Sequence, residues 1–369
     1  MITLPMVNVY FCSMFLVLLI GHYGINNKVQ SKLLIAVSLT LIFTILFVIS
    51  GFRTGIGDTY FYKHSYKLVG ESLAKGDMIA IRNFLDNEIG FNGLLVALNY
   101  ITPDPQILVI LMAFITNGLN LRSIYKYTRP FELGIYLYFA TVIFYVTMNG
   151  MRQAFVASIF FCFGVEFIKK RKFVRYCILI LFLTLFHNSA IILIPLYFVV
   201  QKEAWKKLFW IVVAIFGAAT TAFRPLMPIV VDMLEGGRYD AYAQDMSNGG
   251  EGVNLIRVIV MLVPLILAYF AREDLKEQWE DSSLFVFMSL FNFGFMLLSS
   301  QYLYFYRVCI YFELFNLALI PRCIACLRGK IAKVTYVYTI GCYALFCYYQ
   351  VAITWGGNYT NIILGKLLG

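Results

Sequence analysis

The most constraining feature of this sequence is a series of long apolar stretches without a charged residue. Residues 1–27, 33–52 and 282–306 contain no Asp, Glu, Lys or Arg. A membrane-spanning helix needs about 20 mostly apolar residues, and these stretches are of that length. Over the whole chain 61% of residues are hydrophobic and 14% are charged, whereas soluble domains carry about 25% charged residues. The sequence therefore predicts an all-α polytopic membrane protein and excludes a soluble globular domain, a disordered tail or a coiled coil.

About twelve transmembrane helices are predicted within a single integral membrane domain, 1–369. They are placed near 3–22, 32–51, 105–122, 132–149, 152–168, 173–187, 188–201, 206–223, 254–271, 284–301, 305–322 and 333–353. The two helices around His187 are short, and the alternative is a pair of half-helices. Two external loops are predicted, 52–90 and 224–253. The segment 89–101 after the first loop is amphipathic, which predicts an interfacial or re-entrant element.

The basic residues divide unevenly between the two alternating sets of loops. One set holds 19 of the 30 basic residues and 8 of the 20 acidic residues, and includes the run Lys169-Lys170-Arg171-Lys172. Because cytoplasmic loops are enriched in Lys and Arg, this set is predicted to face the cytoplasm. The net charge of +10 then reflects this rule and attraction to anionic lipid, not nucleic-acid binding. Both termini and the active site are predicted to lie outside the cytoplasmic (inner) membrane, towards the periplasm or the cell exterior.

Motifs of soluble enzymes are missing from the sequence. The eight cysteines lie in or beside spans, so no disulfide framework is expected. Cys323 and Cys326 have CxxC spacing but no neighbouring histidine, which favours a structural role over a metal or redox role. The three histidines are scattered, which makes a zinc site improbable. Without a P-loop or a GxGxxG motif, no cofactor and no metal are predicted.

Charged residues near membrane depth are the best pointers to function, because an Arg or Asp at mid-bilayer costs about 2.5–3.5 kcal/mol. The first such place is Gly51-Phe52-Arg53-Thr54-Gly55-Ile56-Gly57-Asp58. Its glycines permit a tight turn, so Arg53 and Asp58 are predicted to point into one cleft. The alternative is an interfacial arginine followed by a solvated loop aspartate.

The second place is Asn149-Gly150-Met151-Arg152-Gln153, a short turn that leads directly into a span. Arg152 would lie in the first helical turn, where exposed N–H groups and the helix dipole already favour anions. An anionic ligand bound jointly by Arg152 and the helix N-terminus fits this arrangement. The alternative is an arginine that extends to the membrane surface.

Two further places contain a histidine and a buried acid. His187, in Phe186-His187-Asn188-Ser189, interrupts a 26-residue charge-free run and can act as base, acid or hydrogen-bond donor; the alternative is a histidine satisfied by nearby backbone. Arg307 begins a span, and Glu313 lies six residues deeper on another face of that helix. For Glu313, structural pairing with an arginine is favoured over a role as a buried base.

The residues predicted to lie outside are rich in arginine. Seven of the 11 external basic residues are Arg, against seven of the 19 cytoplasmic ones. Arg keeps its charge on partial burial and grips phosphate oxygens with two hydrogen bonds. An arginine-rich, tyrosine-lined outer cavity therefore suits a pyrophosphate attached to a sugar.

At these residues the chain resembles the EpsG family of Wzy-type bacterial polysaccharide polymerases. The matching pieces follow one order over most of the chain, and each is weak alone. They are Phe52-Arg53 with Gly57-Asp58, Asn149-Gly150-Met151-Arg152-Gln153, the basic turn Lys169-Lys170-Arg171-Lys172-Phe173, Phe186-His187-Asn188-Ser189 running to Pro195, Arg238-Tyr239 with Tyr242, and Arg307 with Tyr311-Phe312.

The resemblance implies a glycosyltransferase of GT-C-like architecture that makes exopolysaccharide, capsule or O-antigen. Its implied partners are a donor and an acceptor of undecaprenyl-pyrophosphate-linked glycan within membrane lipid, together with a chain-length regulator. It implies no metal, no nucleotide sugar and no nucleic acid.

The residues then receive expected roles. Arg53, Arg152 and Arg307 are expected to hold the donor pyrophosphate and stabilise charge on the leaving phosphate. His187 or Asp58 is expected to accept the proton of the attacking sugar hydroxyl, with Glu313 as a rival base. The expected sugar-binding residues are Asn149, Gln153, Asn188, Arg238, Tyr239 and Tyr311.

Two other classes of protein stay open. A lipid-linked oligosaccharide flippase or other transporter also needs cations for pyrophosphate, but no internal repeat of the kind common in transporters is visible. A membrane acyltransferase that modifies a polymer is the third possibility, because it could use His187.

Overall fold

The computed structural model describes residues 3–25, 31–85, 88–234 and 251–367. The chain divides into two compact units, and the single integral membrane domain 1–369 stays a prediction. Unit 1 comprises Met1–Ile194 and Leu327–Gly369, and unit 2 comprises Pro195–Cys326. Unit 1 is discontinuous because the C-terminal segment returns to pack with the N-terminal half.

The elements are almost all helical, and we number them in chain order. The first run consists of β1 (Thr3–Pro5), α1 (Met6–Ile25), α2 (Lys32–Gly51), α3 (Thr59–Lys75), α4 (Met78–Leu85), α5 (Ile89–Asn99), α6 (Gln106–Tyr127), α7 (Phe131–Ala140), α8 (Ile143–Asn149), α9 (Met151–Ile159), a π-helical turn (Phe160–Gly164), α10 (Val165–Lys169), α11 (Phe173–Thr184), a 3-10 helix (Asn188–Ile192) and α12 (Leu193–Val199). Unit 2 continues with α13 (Lys207–Leu234), α14 (Leu255–Phe270), α15 (Arg272–Gln278), α16 (Ser282–Ser299), a 3-10 helix (Leu303–Phe305), α17 (Tyr306–Cys309) and α18 (Glu313–Cys326). The chain then returns to unit 1 through α19 (Gly329–Tyr348), a π-helix (Tyr349–Trp355), β2 (Asn358–Thr360) and α20 (Ile362–Leu367).

Among the described residues, seven helices are long and apolar enough to cross a membrane, and up to ten segments are if each of three bent helix pairs is one span. The predicted count of about twelve is not confirmed. The difference lies at 173–187 and 188–201, which fold as apolar helices too short to span. The backbone is extended at His187, with φ −155°, between α11 and the following 3-10 helix. The alternative prediction, two half-helices, describes this segment.

The two predicted external loops contain helix. Residues 52–90 include α3 and α4, and α3 is fastened to the next segment because the Tyr66 hydroxyl donates to the Thr102 carbonyl at 2.6 Å. The amphipathic segment 89–101 forms α5. In the second loop, α13 extends to Leu234, and residues 235–250 lie outside the described part of the chain.

A short antiparallel pair joins the two ends of the chain in unit 1. Thr3 of β1 pairs with Thr360 of β2. Tyr359 of β2 and Asn361 just after it also close the end of α2. The Tyr359 hydroxyl donates to the Ile49 carbonyl at 2.6 Å, and the Asn361 amide donates to the Val48 carbonyl at 2.8 Å. Both chain ends therefore lie at the end of unit 1 where α2 stops and Arg53 begins.

Candidate active site

Arg53 is the most deeply buried charged side chain at this end of unit 1, with only 1% of its surface exposed. Its Nε donates to the Thr59 hydroxyl at 3.2 Å, one terminal nitrogen donates to the Ser50 carbonyl, and the other donates to the Met148 carbonyl at 2.8 Å. Burial lowers the pKa of Arg53 to about 10, so the group stays charged at neutral pH. The guanidinium ties the end of α2 to the start of α3 and the end of α8.

The space beside Arg53 is too small for a diphosphate. A cavity of about 10 Å³ borders its side chain, which is about the volume that one water molecule needs. The structure therefore places Arg53 as an internal clamp. Its expected role as a direct pyrophosphate ligand has no matching opening in this conformation.

Asp58 and Asn149, from two separate motifs, lie in contact. The Asn149 side-chain oxygen accepts a hydrogen bond from the Asp58 backbone N–H at 2.9 Å. The approach requires glycine at position 57, which has φ +48° and where a Cβ would lie 1.9 Å from the Asn149 oxygen. The Asp58 carboxylate has no hydrogen-bonding partner among the residues that the structure describes, so it remains available to a substrate.

Arg152 and His187 converge on an acidic residue, Glu88. One Glu88 oxygen forms an ion pair with a terminal nitrogen of Arg152. The other lies 2.9 Å from His187 Nδ1 and accepts the Asn188 backbone N–H at 3.3 Å. We call these four residues the Glu88 cluster. It joins the start of α5, the first turn of α9 and the break after α11.

The backbone is shaped to bring Glu88 to this position. Gly90 and Phe91 donate their backbone N–H groups to the Leu185 carbonyl, at 2.8 and 3.4 Å. A Cβ at Gly90 would lie 2.9 to 3.1 Å from Leu185 atoms, including its backbone carbon and oxygen. Glu88 itself has φ +47°, a left-handed conformation that is uncommon for a residue with a side chain.

Two aromatic rings hold the Arg152 guanidinium from the side. Its central carbon lies 5.7 Å from the ring centre of Tyr62 and 5.2 Å from that of Phe91, within cation–π range. The side chain is 35% exposed, while its Nε is buried and makes no hydrogen bond to a described residue. Arg152 therefore keeps N–H donors beyond the one that Glu88 uses.

Two opposing effects set the ionisation of Glu88. Burial alone raises the pKa of this carboxyl, but the hydrogen bond with His187 and the charges of Arg152 and His187 outweigh it, so the net pKa lies below its ordinary value. Glu88 is therefore an anion at neutral pH. A second cation lies near Arg53: the Lys63 ammonium donates to the Thr54 carbonyl at 3.0 Å. Burial, and then the charge of Arg53, lower the pKa of Lys63.

Unit 2 contains the remaining predicted ionisable residues. Glu313 is 2% exposed and interacts electrostatically with Arg257 and Tyr306. The Arg257 guanidinium stacks 4.2 Å from the Tyr306 ring centre. Glu313 therefore lies in a buried group with an arginine, and its structural pairing with that arginine stays a prediction. Arg307 is exposed and lies 5.1 Å from the Tyr304 ring centre.

The expected sugar-binding residues are placed unevenly. Asn188 is the exposed member of the Glu88 cluster, and Gln153 is buried in α9 with 5% exposure. Tyr311 is fully buried in unit 2. Arg238 and Tyr239 lie outside the described residues.

Sequence reasoning missed Glu88 and Lys63. Both occur in a segment assigned as an external loop, where charged residues are inexpensive and attract no attention. The sequence did contain a signal for Glu88. This acid lies at the boundary between the polar loop and the apolar helix α5, and a glycine, Gly90, follows it by two positions. Nothing in the sequence indicated that this boundary would dock against the break at His187.

In the described part of the chain, up to ten apolar segments are capable of crossing a membrane. Together with the charged cluster where several helix ends meet in unit 1, they define a multi-pass membrane protein. The chain belongs to the EpsG family, whose sequence profile matches residues 36–361. This confirms the resemblance that the motifs indicated, and family membership indicates a polysaccharide-polymerase-like membrane protein. No curated protein and no solved structure gives a significant match to the chain.

Proposed function

We propose that this protein is a glycosyltransferase of the Wzy type. It would join oligosaccharide units linked to undecaprenyl pyrophosphate, at the outer face of the cytoplasmic membrane. The single observation that carries the proposal is the Glu88 cluster in a chain of the EpsG family. The cluster combines a cation for a leaving diphosphate, Arg152, with a candidate base, His187. The other candidate base, Asp58, lies in the same unit.

Arg152 is the proposed diphosphate ligand. It lies in the first turn of α9, where the unsatisfied backbone N–H groups of a helix favour an anion. Its planar guanidinium has five donors, and the remaining ones can bind phosphate oxygens while Glu88 holds the group in place. Stabilising negative charge as it develops on the leaving group is the electrostatic contribution that such a transfer needs.

An open groove beside α3 is the proposed position of the acceptor glycan. Its volume is about 560 Å³, and Lys67, Gly70, Glu71 and Tyr100 line it. This volume lies within the usual range of ligand clefts, roughly 300–1,000 Å³. Tyr100 is 75% exposed and offers a flat apolar face, while the charged side chains offer partners for hydroxyl groups. From Tyr62, which contacts Arg152, to Gly70 is about 12 Å along the helix.

The test is polymerisation by the purified protein in lipid, supplied with a synthetic lipid-pyrophosphate repeat unit and no nucleotide sugar. Wild type should give a ladder of products. Arg152→Ala should abolish the ladder, and Arg152→Lys should restore little of it because an ammonium cannot reproduce the planar fork. Arg82→Ala, which removes an exposed arginine of α4, is the matched control and should leave the ladder intact.

The same preparation separates the two main alternatives. A flippase in sealed vesicles would move the lipid-linked unit between leaflets without lengthening its glycan. Transbilayer movement without a ladder would therefore overturn the assignment as a polymerase.

A further inference from the structure

We propose that Glu88 is a positioning residue that selects His187 as the base of the reaction. It would do so by holding Nδ1 and leaving Nε2 directed towards the substrate. The inference rests on the proposed function, and goes beyond it by choosing between His187 and Asp58 and by giving a task to an acid that no motif indicated.

The two ring nitrogens of His187 have different surroundings. Nδ1 lies 2.9 Å from a Glu88 oxygen, and a carboxylate in that position accepts the Nδ1–H hydrogen bond. The neutral imidazole is then the tautomer whose Nε2 carries the lone pair. Nε2 has no hydrogen-bonding partner among the residues described, and the side chain is 18% exposed. A base must be within hydrogen-bonding reach of the proton that it accepts, and Nε2 is the ring atom available for this.

The two Glu88 carboxylate oxygens have different partners. One serves His187 and the Asn188 N–H, and the other serves Arg152. One carboxylate thus fixes both the proposed base and the proposed diphosphate ligand in a single geometry.

A further feature is the backbone that presents the carboxylate. A left-handed conformation at a residue other than glycine costs about 1–2 kcal/mol, and Glu88 adopts it at φ +47°. The backbone hydrogen bond from Gly90 to Leu185 holds this strained residue close to His187, which follows Leu185 by two positions. The fold therefore keeps an unfavourable backbone conformation at Glu88, and this conformation positions the Glu88 carboxylate between His187 and Arg152.

The chemistry balances without a further reactant. The acceptor hydroxyl oxygen forms a bond with the donor anomeric carbon, and its proton passes to Nε2. The bond between the anomeric carbon and the phosphate oxygen breaks, and its electron pair stays on the lipid diphosphate, which Arg152 stabilises. Glu88 stabilises the imidazolium, which returns its proton to the departing diphosphate or to water.

The test compares Glu88→Gln with His187→Gln and with the double variant. Glutamine keeps the size of Glu88 and removes its charge. Because general base catalysis contributes about 10²–10⁴-fold, Glu88→Gln should lower kcat by roughly 10²-fold. The double variant should lose less activity than the product of the two single losses, since residues that act as a unit are not additive, and any loss beyond that of His187→Gln reflects the contact of Glu88 with Arg152. Asp77→Asn, which removes a charge from the start of α4 but keeps its capping geometry, should behave as wild type.

A pH profile separates positioning from a purely structural role. The charged groups around His187 are Glu88 and Arg152, and Tyr62 lies near both Arg152 and Asp58. Wild-type kcat should depend on pH, because the proposed base has to accept a proton. In Glu88→Gln this dependence should change, because the proposed base has lost its carboxylate partner. His187→Gln should lack the dependence.

The outcomes distinguish the two proposals. A wild type that makes no ladder overturns the proposed function. A wild type that polymerises, with a Glu88→Gln variant of equal rate and unchanged pH profile, overturns only the role of Glu88. Multiplicative losses in the double variant would also overturn it, because the two residues would then act separately. If Glu88→Gln does not fold, Glu88→Asp takes its place, and an unchanged kcat there would equally contradict the positioning role.

Discussion

Replacing Arg53 decides whether this arginine is a structural clamp or a ligand for substrate. Its three hydrogen bonds reach a hydroxyl and two main-chain carbonyls within a site that is 1% exposed. Hydrogen bonds to charged groups contribute about 1.5–3 kcal/mol each. Arg53→Met removes all three donors, so we expect a loss of about 4–6 kcal/mol of folding free energy, allowing for partial relaxation of the site.

Arg53→Lys provides the graded comparison. The lysine ammonium carries its donors on one atom, whereas the partners of Arg53 are spread over three nitrogens, so at most two bonds can re-form. We expect a loss of about 2 kcal/mol. The measurement is thermal denaturation in detergent, followed as loss of monodisperse protein, beside the polymer ladder. If Arg53→Met melts like wild type yet makes no ladder, Arg53 acts on substrate and the clamp argument is wrong.

Three further predictions follow from local contacts. Gly90→Ala should destabilise the protein by about 1–3 kcal/mol and reduce the ladder. The control is Gly93→Ala on the same helix, where an added Cβ has nothing within 4 Å and should stabilise the helix by about 0.5–1 kcal/mol. Equal melting temperatures for the two variants would contradict the close approach of Gly90 to Leu185. The lowered pKa of Glu88 contributes stability above the ordinary glutamate range, which is lost as pH falls through that lower value. Melting curves from pH 6 to pH 3 should therefore drop more steeply for wild type than for Glu88→Gln, and parallel curves would count against it. In unit 2, Arg257→Met should lower the folding free energy by roughly 3 kcal/mol, because Glu313 is then buried without a nearby cation. Adding Glu313→Gln to this variant should recover part of that stability in a melting assay. A further loss of stability would show that the two residues do not interact.

The sequence predicted the helices well, because each span depends on local composition. The contact between Asp58 and Asn149 was not predicted, because it joins two motifs that are 91 positions apart in the sequence. The twelve-span count exceeded what the structure supports, because a 26-residue charge-free run is compatible with one long helix, two spans or two half-helices. Only the extended backbone at His187 resolves that ambiguity.

The details of the site depend on long-range docking, which composition does not encode. An arginine at the end of a span looks the same whether it faces a ligand or three internal acceptors, and Arg53 proves to have the internal acceptors. Glu88 is separated from Arg152 by 64 residues and from His187 by 99. Its partners were therefore beyond any local pattern, although Gly90 marked the position of a close backbone approach.

The pairing of β1 with β2 bears on biosynthesis. The Ile49 carbonyl accepts from Tyr359, and the Val48 carbonyl accepts from Asn361 as well as from the nearby Phe52 N–H. The two distant partners follow more than 300 positions later in the chain. The end of α2 beside Arg53 can therefore reach its full set of hydrogen bonds only after the segment with Tyr359 and Asn361 has been synthesised.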